Sequence, residues 1–386
     1  IVQVVHSTPI VAYRFCIGPH TAAMSVLGFR VEWYDPQPKL TREFVLRIYV
    51  DEMQIEMYDL NSRRMFLKKS PLPKSIQLSD LHVGNKITLH SRALHIVQYS
   101  DQTTERALSR AQVKSTCVLM PKCVASRKLG AAISMMEGAG LKIKKLKMTR
   151  LNVAESEECT TLLHESKLTK KDFSFGHCVF ATVAGSDAVE VLKRISKAIS
   201  ALRCESFSEE LACAAPTTEA GEGLEELAFG VSRPLSGWPT ARYGPDATCC
   251  VIRPHIIANS NLGAVLSHIE ASHAYEISAM GFFQLDVPTA FEFLEIYDGV
   301  VPEFDAVVKQ LSFGVCCAVE LRGQNAVLKF RKMAGPWDVD FAKETRPNTI
   351  RAKFGVSNVK NAIHCTDLAD IAESELRYFF DLLKPC

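Results

Sequence analysis

A repeat inside the chain constrains its fold more than any other feature. The run STCVLMPKCV opens one stretch and ATCCVIRPHI a later one, and each continues into Leu-Gly-Ala, at Leu129-Gly130-Ala131 and Leu262-Gly263-Ala264. Each copy then carries Ser-Phe-Gly-x-Cys before a strand-like run, from Ser174 to Cys178 and from Ser312 to Cys316. The offset is 248 − 116 = 132 at the threonine and 312 − 174 = 138 at the serine, so the order is kept while the spacing drifts. That combination marks a duplicated domain with small insertions. Within each copy the apolar spacing reads strand, helix, strand, helix, strand, the order of a ferredoxin-like βαββαβ unit. Residues near 113–200 and 247–384 are therefore expected to superpose as separate βαββαβ domains, and one continuous sheet shared by both would overturn this reading. Between them SFSEELACAAPTTEAGEGLEELAFG, rich in Ala, Glu, Gly, Thr and Pro, reads as part of an irregular linker over 201–246.

The block before the repeat, to about residue 108, reads as β-rich. EFVLRIYV alternates through Phe44, Leu46, Ile48 and Val50, Asp51-Glu52 interrupts, and MQIEMYDL resumes through Met53, Ile55 and Met57. Alternation broken by a short polar step is a hairpin signal. KITLHSRALHIVQY adds a strand or strand pair, with turns expected at Pro71, Pro73 and Gly84. The block is expected to form a half-buried antiparallel sheet, closed or capped.

Composition excludes several functions. The net charge is +2 with dispersed basic residues, which is no footprint of a nucleic-acid binder. The densest cluster, LKIKKLKMTR, reads as the solvated edge of a strand. No apolar run approaches the roughly 20 residues of a membrane span. The opening IVQVVHSTPI lacks a basic segment with a cleavage site, so no secretory signal is expected, and it lacks an initiator Met, so the true start is expected upstream. Thirteen cysteines include no C-x-x-C, and the pairs Cys249-Cys250 and Cys316-Cys317 sit in apolar runs. Neighbouring strand residues face opposite sides, so these read as buried reduced thiols rather than zinc ligands, in a reducing compartment.

One segment carries chemistry. RPNTIRAKFGVSNVKNAIHCTD orders two arginines, an asparagine and a histidine, and in that order it resembles the active-site segment of the nucleoside diphosphate kinase family. The opening block, through LNSRRMFLKKSPLPKSIQLSDLHVGNKITLHSRALHIVQY, is similar to a DM-ten domain. The fold implied is α+β: a PH-like β-rich DM-ten domain at 1–108, a degenerate kinase-like domain at 113–200 with its irregular continuation over 201–246, and a second kinase-like domain at 247–386. The implied chemistry is ping-pong transfer of a γ-phosphate from NTP to NDP through a phosphohistidine, with Mg²⁺ bridging the phosphates of ATP or another NTP. A neutral imidazole suits that role at pH 7, and guanidinium forks suit the phosphates.

Carried over by the resemblance, His364 is the phosphate acceptor, with Thr366 and Glu375 orienting it from behind. Asn361, Arg331, Arg351 and Tyr297 would contact the nucleotide, and Phe304, allowing a one-residue gap, would stack on the base. Three positions depart from the family. Arg253 in IRPH replaces the phosphate-binding lysine, Trp337 replaces a threonine, and Asn358 stands where an apolar residue faces the base. The earlier copy departs further. Pro121 takes the lysine's place beside Lys122, and ELAFGVSRPLSGWP resembles the approach to the histidine motif, yet no histidine follows. His164 and His177 read as surface or strand residues.

A DM-ten domain followed by two kinase-like domains is the layout of a ciliary branch of the family. That layout implies a structural protein of the axoneme, bound inside the doublet microtubule to tubulin and other inner proteins and shared with γ-tubulin complexes. Neither nucleic acid nor membrane is an expected partner. The alternative is an active nucleoside diphosphate kinase working through His364.

Overall fold

The computed structural model describes residues 26–35, 40–73, 76, 81, 85–90, 92–101, 103–105, 113–164, 168–173, 176–185, 187–202, 210–231 and 234–386. Gly84, Ser174 and Phe175, read above as turn and repeat markers, lie outside the described residues. The chain divides into two units, residues 1–109 and 110–386.

In the first unit, alternating side chains produce strands β1 (Val26–Asp35), β2 (Leu40–Tyr49), β3 (Gln54–Asp59), β4 (Arg64–Pro71), β5 (Lys86–Leu89) and β6 (Arg92–Tyr99). They form one antiparallel sheet in the order β4-β3-β2-β1-β6-β5. Period two places Phe44, Leu46 and Ile48 on one buried face, with Ile55 and Met57 of the partner strand beside them. The hairpin register sets Leu46 opposite Met57 and Ile48 opposite Ile55. Leu72, Ile76 and Leu81 join the same core. Burying each such side chain contributes about 1.5–3 kcal/mol, which is what holds the register.

The second unit is built from two equivalent halves. The first runs β7 (Val113–Leu119), α1 (Pro121–Ala125), α2 (Leu129–Gly138), β8 (Lys142–Thr149), α3 (Val153–Leu162), β9 (Cys178–Gly185), α4 (Ala188–Ser200), β10 (Ala212–Ala214) and α5 (Thr218–Phe229). The second runs β11 (Ala247–Ile252), α6 (Pro254–Ala258), α7 (Leu262–Ala271), β12 (Glu276–Gln284), α8 (Val287–Leu294), α9 (Phe304–Ser312), β13 (Val315–Arg322), α10 (Ala326–Ala334), α11 (Val339–Thr345), α12 (Ile350–Phe354), β14 (Ile363–Cys365) and α13 (Ala372–Arg377). Each half orders its strands fourth, first, third, second, the ferredoxin-like arrangement.

Four sequence expectations are corrected here. The halves do not keep separate sheets: eight strands run β10-β7-β9-β8-β12-β13-β11-β14, joined where Gly281 of β12 pairs with Lys147 of β8. Duplication survives this, because the same strand of each half makes the junction. A βαββαβ sheet leaves its second strand at an edge, and an edge of unpaired N–H and C=O groups is satisfied by another copy of itself.

The segment read as a linker is folded. Among its described residues, β10 pairs antiparallel with β7, and α5 buries Ala220, Leu224, Leu227 and Ala228. Its Ala and Leu spacing was masked by intervening Glu and Gly. The lysine run is not a solvated edge either. β8 is central, and Lys147 is buried, donating to the Ala228 carbonyl at 2.8 Å beside the Trp238 ring. Burial lowers its pKa to about 8.

The fourth correction is to the offset. Met120 and Arg253 are the N-caps of α1 and α6, and Leu129 and Leu262 begin α2 and α7, giving 253 − 120 = 133 and 262 − 129 = 133. Met120, not Pro121, therefore occupies the place of Arg253. The threonine match at 132 was one residue out of register.

The repeated Leu-Gly-Ala now has a physical reason. α2 and α7 pack against each other, and each ends in a glutamate that caps the other's start. Glu270 accepts from the backbone N–H of Leu129 and Gly130 at 3.1 and 2.9 Å, and Glu137 accepts from Leu262 and Gly263 at 3.1 and 3.0 Å. A carboxylate there satisfies orphan donors and meets the positive end of the helix dipole. A Cβ on Gly130 would stand 2.2 Å from the Ser267 nitrogen, and one on Gly263 would stand 2.2 Å from that of Ser134.

Candidate functional site

β14, the edge strand of the sheet's second half, sets His364 opposite Val251 of β11. His364 is 1% exposed, and its Nε2 lies 2.9 Å from Glu375 Oε1 on α13. Thr366 donates to the other carboxylate oxygen of Glu375 at 2.6 Å, which fixes that carboxylate in turn. An imidazole whose Nε2–H donates to a carboxylate keeps its lone pair on Nδ1. The edges of Phe293 and Tyr297, with centroids 5.0 and 5.8 Å from that of His364, hold the ring. The constellation presents Nδ1 as a nucleophile with its tautomer set from behind.

His364 lines a cavity of about 620 Å³ together with Tyr297, Arg331, Trp337, Arg351 and Asp367. Lys332 and Arg346 add positive charge, and Asp367 is the carboxylate on this wall. Arg331 pairs through Nε with Asp367 Oδ1 at 3.0 Å, while the Tyr297 hydroxyl donates to Asp367 Oδ2 at 2.8 Å. Burial, then the charges of Glu375 and Asp367, raise the Tyr297 pKa, so it stays a neutral donor. Arg351 is buried and donates to the carbonyls of Gly335 at 2.8 Å and Ile363 at 3.3 Å. Asp367 was not singled out in the sequence, although it is the last residue of HCTD. Its signal was a lone acid among cations.

Four residues stand elsewhere than the nucleotide roles require, none of them lining the cavity. Arg253 is 1% exposed, does not line the cavity, and donates to the Val359 carbonyl at 3.0 Å and toward Gln310 at 3.4 Å. Its guanidinium and that of Arg351 each lie 5.4 Å from the Trp337 ring centroid. Burial, then the charge of Arg351, lowers the Arg253 pKa to about 9. Phe304 is also absent from the wall. It is the first residue of α9, 7% exposed, packed on Phe291. Val300, Val301 and Pro302 stand at the cavity instead. Asn358 caps α11 by accepting from the Val339 N–H at 3.0 Å. Asn361 is fully buried, and among the described residues neither of its amide atoms has a hydrogen-bond partner.

The equivalent place in the first half follows from strand register. His364 lies opposite Val251, and Cys213 lies opposite Val118, with 251 − 118 = 133. Arg253 donates its N–H to the Ala362 carbonyl and Met120 donates to that of Leu211, which fixes the same equivalence. The position is thus filled by a thiol, not passed over, and it precedes ELAF instead of following it. Cys213 is buried and donates to Glu210 at 2.8 Å. Burial and that carboxylate push its pKa up, so it remains a protonated thiol. His164 is exposed after α3, and His177 leads into β9.

The fit of a divalent cation follows from the donors present. Among the described residues no group of three His, Cys, Asp or Glu side chains could hold one, and both oxygens of Asp367 are engaged. Magnesium is commonly held through substrate phosphates, and this cavity fits it in that form, with the cationic wall contacting the phosphates.

Comparison with known proteins gives consistent results. Residues 246–384 match the nucleoside diphosphate kinase family. Over 372 residues the chain is 33% identical to nucleoside diphosphate kinase homolog 7 of Rattus norvegicus, covering 92% of this chain and 93% of that protein. It is 30% identical over 139 residues to the nucleoside diphosphate kinase of Aquifex aeolicus (strain VF5), covering 36% of this chain and 96% of that one. An orthorhombic crystal structure of an Aquifex aeolicus nucleoside diphosphate kinase matches at 30% identity with a TM-score of 0.34, over 36% of this chain and 99% of that one.

Proposed function

Since the chain belongs to the nucleoside diphosphate kinase homolog 7 family, we propose that it serves as a structural component of the ciliary or flagellar axoneme. In this reading it lies within the doublet microtubule lumen, with tubulin and other inner proteins as partners and γ-tubulin complexes as a second setting. The observation that carries the structural part is the fate of the first half. Its acceptor position holds Cys213 and its phosphate position Met120, yet it keeps the shared sheet and the reciprocal helix caps that join it to the second half. Chemistry is lost there while packing is kept, as expected of a scaffold. The ciliary setting rests on the layout alone, a β-rich unit ahead of two kinase-like halves.

The second half supports a narrower reading in the same protein. His364 keeps its carboxylate partner and an open, cationic cavity, which suits acceptance of a γ-phosphate from a magnesium-bound nucleoside triphosphate onto Nδ1. Arg253 buried beside Trp337 removes one cation from the place where charge spreads, so turnover in this reading is weak or absent.

The test is localisation in ciliated cells. The full chain is expected to stay with axonemes washed in high salt, His364→Ala is expected to dock and support motility like the wild type, and removal of residues 1–109 is expected to release the protein. A chain that washes out, or a His364→Ala cell that swims poorly while the truncated protein docks, would overturn the structural reading.

A further inference from the structure

We propose that Cys250 and Cys365 form a redox modification site, a cross-strand disulfide that ties the edge strand bearing His364 to its neighbour β11. β14 pairs antiparallel with β11, and in that register Cys365 lies directly opposite Cys250. Opposed residues on antiparallel strands have α-carbons about 4.5–5.5 Å apart and side chains on one face. A disulfide spans α-carbons about 4.4–6.8 Å apart, so the backbone already offers the geometry. Both thiols are free and buried, and both belong to the same apolar cluster.

Two contacts make Cys365 the first of the pair to react. It is a lining residue of the cavity beside His364 and is 3% exposed, whereas Cys250 is fully buried. Arg351 Nη2 also approaches its Sγ at 3.7 Å, a contact that favours the thiolate over the thiol. Burial pushes the Cys365 thiol above its ordinary pKa while the Arg351 charge pulls it back, so the reaction is slow at neutral pH and quickens as pH rises. Cys250 is fully buried and lies directly opposite Cys365.

The oxidant is a small organic disulfide. The Cys365 thiolate attacks one of its sulfurs, forming a mixed disulfide and releasing a small thiolate. Cys250 gives up its proton, which the released small thiolate takes up, and the Cys250 sulfur then attacks Cys365 Sγ, forming the cross-strand bond and releasing a second small thiolate, which takes up the proton that Cys365 lost on ionising. The protein loses two hydrogens and the small disulfide gains them. With Cys365 crosslinked, Arg351 loses its contact with the Cys365 thiol and β14 is held by a covalent bond beside its ladder. The inference stands on strand register, whether or not His364 accepts phosphate.

The full chain is treated with oxidised glutathione, its remaining thiols are alkylated, and the digest is analysed by mass spectrometry without reductant. The expected product is one peptide pair joined through Cys250 and Cys365, two hydrogens lighter than the separate peptides and split by reductant. Amide exchange across residues 361–366 should slow several-fold in the oxidised form. Cys317→Ser, on the neighbouring strand β13, should leave the crosslink intact, whereas Cys250→Ser should stop at a glutathione adduct on Cys365. Wild-type protein that stops at that adduct, stays unmodified, or joins a different pair overturns the proposal.

Discussion

The imidazole of His364 illustrates how a side chain acquires a role from its neighbours. Glu375 and Thr366 settle which nitrogen is left for chemistry, and Arg331 and Arg351 settle what kind of group it meets. Phosphate transferred from labelled ATP should therefore reside on His364 as an acid-labile, alkali-stable phosphoramidate. His364→Ala should abolish the label, and Cys213→Ser should leave it unchanged. Restoring Arg253→Lys together with Trp337→Thr should raise the labelling rate at least about tenfold, because the change returns a cation and a small hydroxyl to the phosphate wall. Labelling that persists in His364→Ala would discard the assignment, and an unchanged rate in the double variant would clear the two substitutions. The histidine motif was legible because it is contiguous. The burial of Phe304 against Phe291 and of Arg253 beside Trp337 was not, because those contacts exist only once distant neighbours are in place.

At the scale of elements, the pairing of α2 with α7 is the junction on which the second unit depends. Both helices begin with no side-chain cap of their own, and each borrows a carboxylate from the other. The glycine at the second position of each lets the backbones approach. Gly263→Ala should cost about 2 kcal/mol or more, since the added methyl meets backbone rather than a side chain that can swing aside. A denaturant midpoint unchanged from wild type would contradict that. The longer strands and the α2 and α7 helices were readable from period and composition, whereas α5 was hidden by the Glu and Gly between its apolar residues. The three-residue strand β10 was not, because so short a segment carries no period and its place is set by β7.

At the scale of the whole molecule, the shared sheet makes the two halves mutually dependent. Residues 247–386 expressed alone would expose the β12 edge and the α7 face, and are expected to pair with a second copy through the same surface. Residues 110–386 should instead remain monomeric, which sedimentation at micromolar concentration would distinguish. A monomeric, soluble 247–386 fragment would refute the expectation.

By itself, the sequence determined that there are two copies of a βαββαβ unit behind a β-rich block, and that one copy keeps a histidine in the family's setting. Those features rest on local periodicity and contiguous motifs, which one strand of text records. Only the tertiary structure decided that the copies share one sheet, that a buried thiol fills the second histidine position, and that the phosphate wall is reshaped by Trp337. Edge pairing, register equivalence and the burial of a charge are relations between residues distant along the chain, so their energies exist only after the chain has closed on itself.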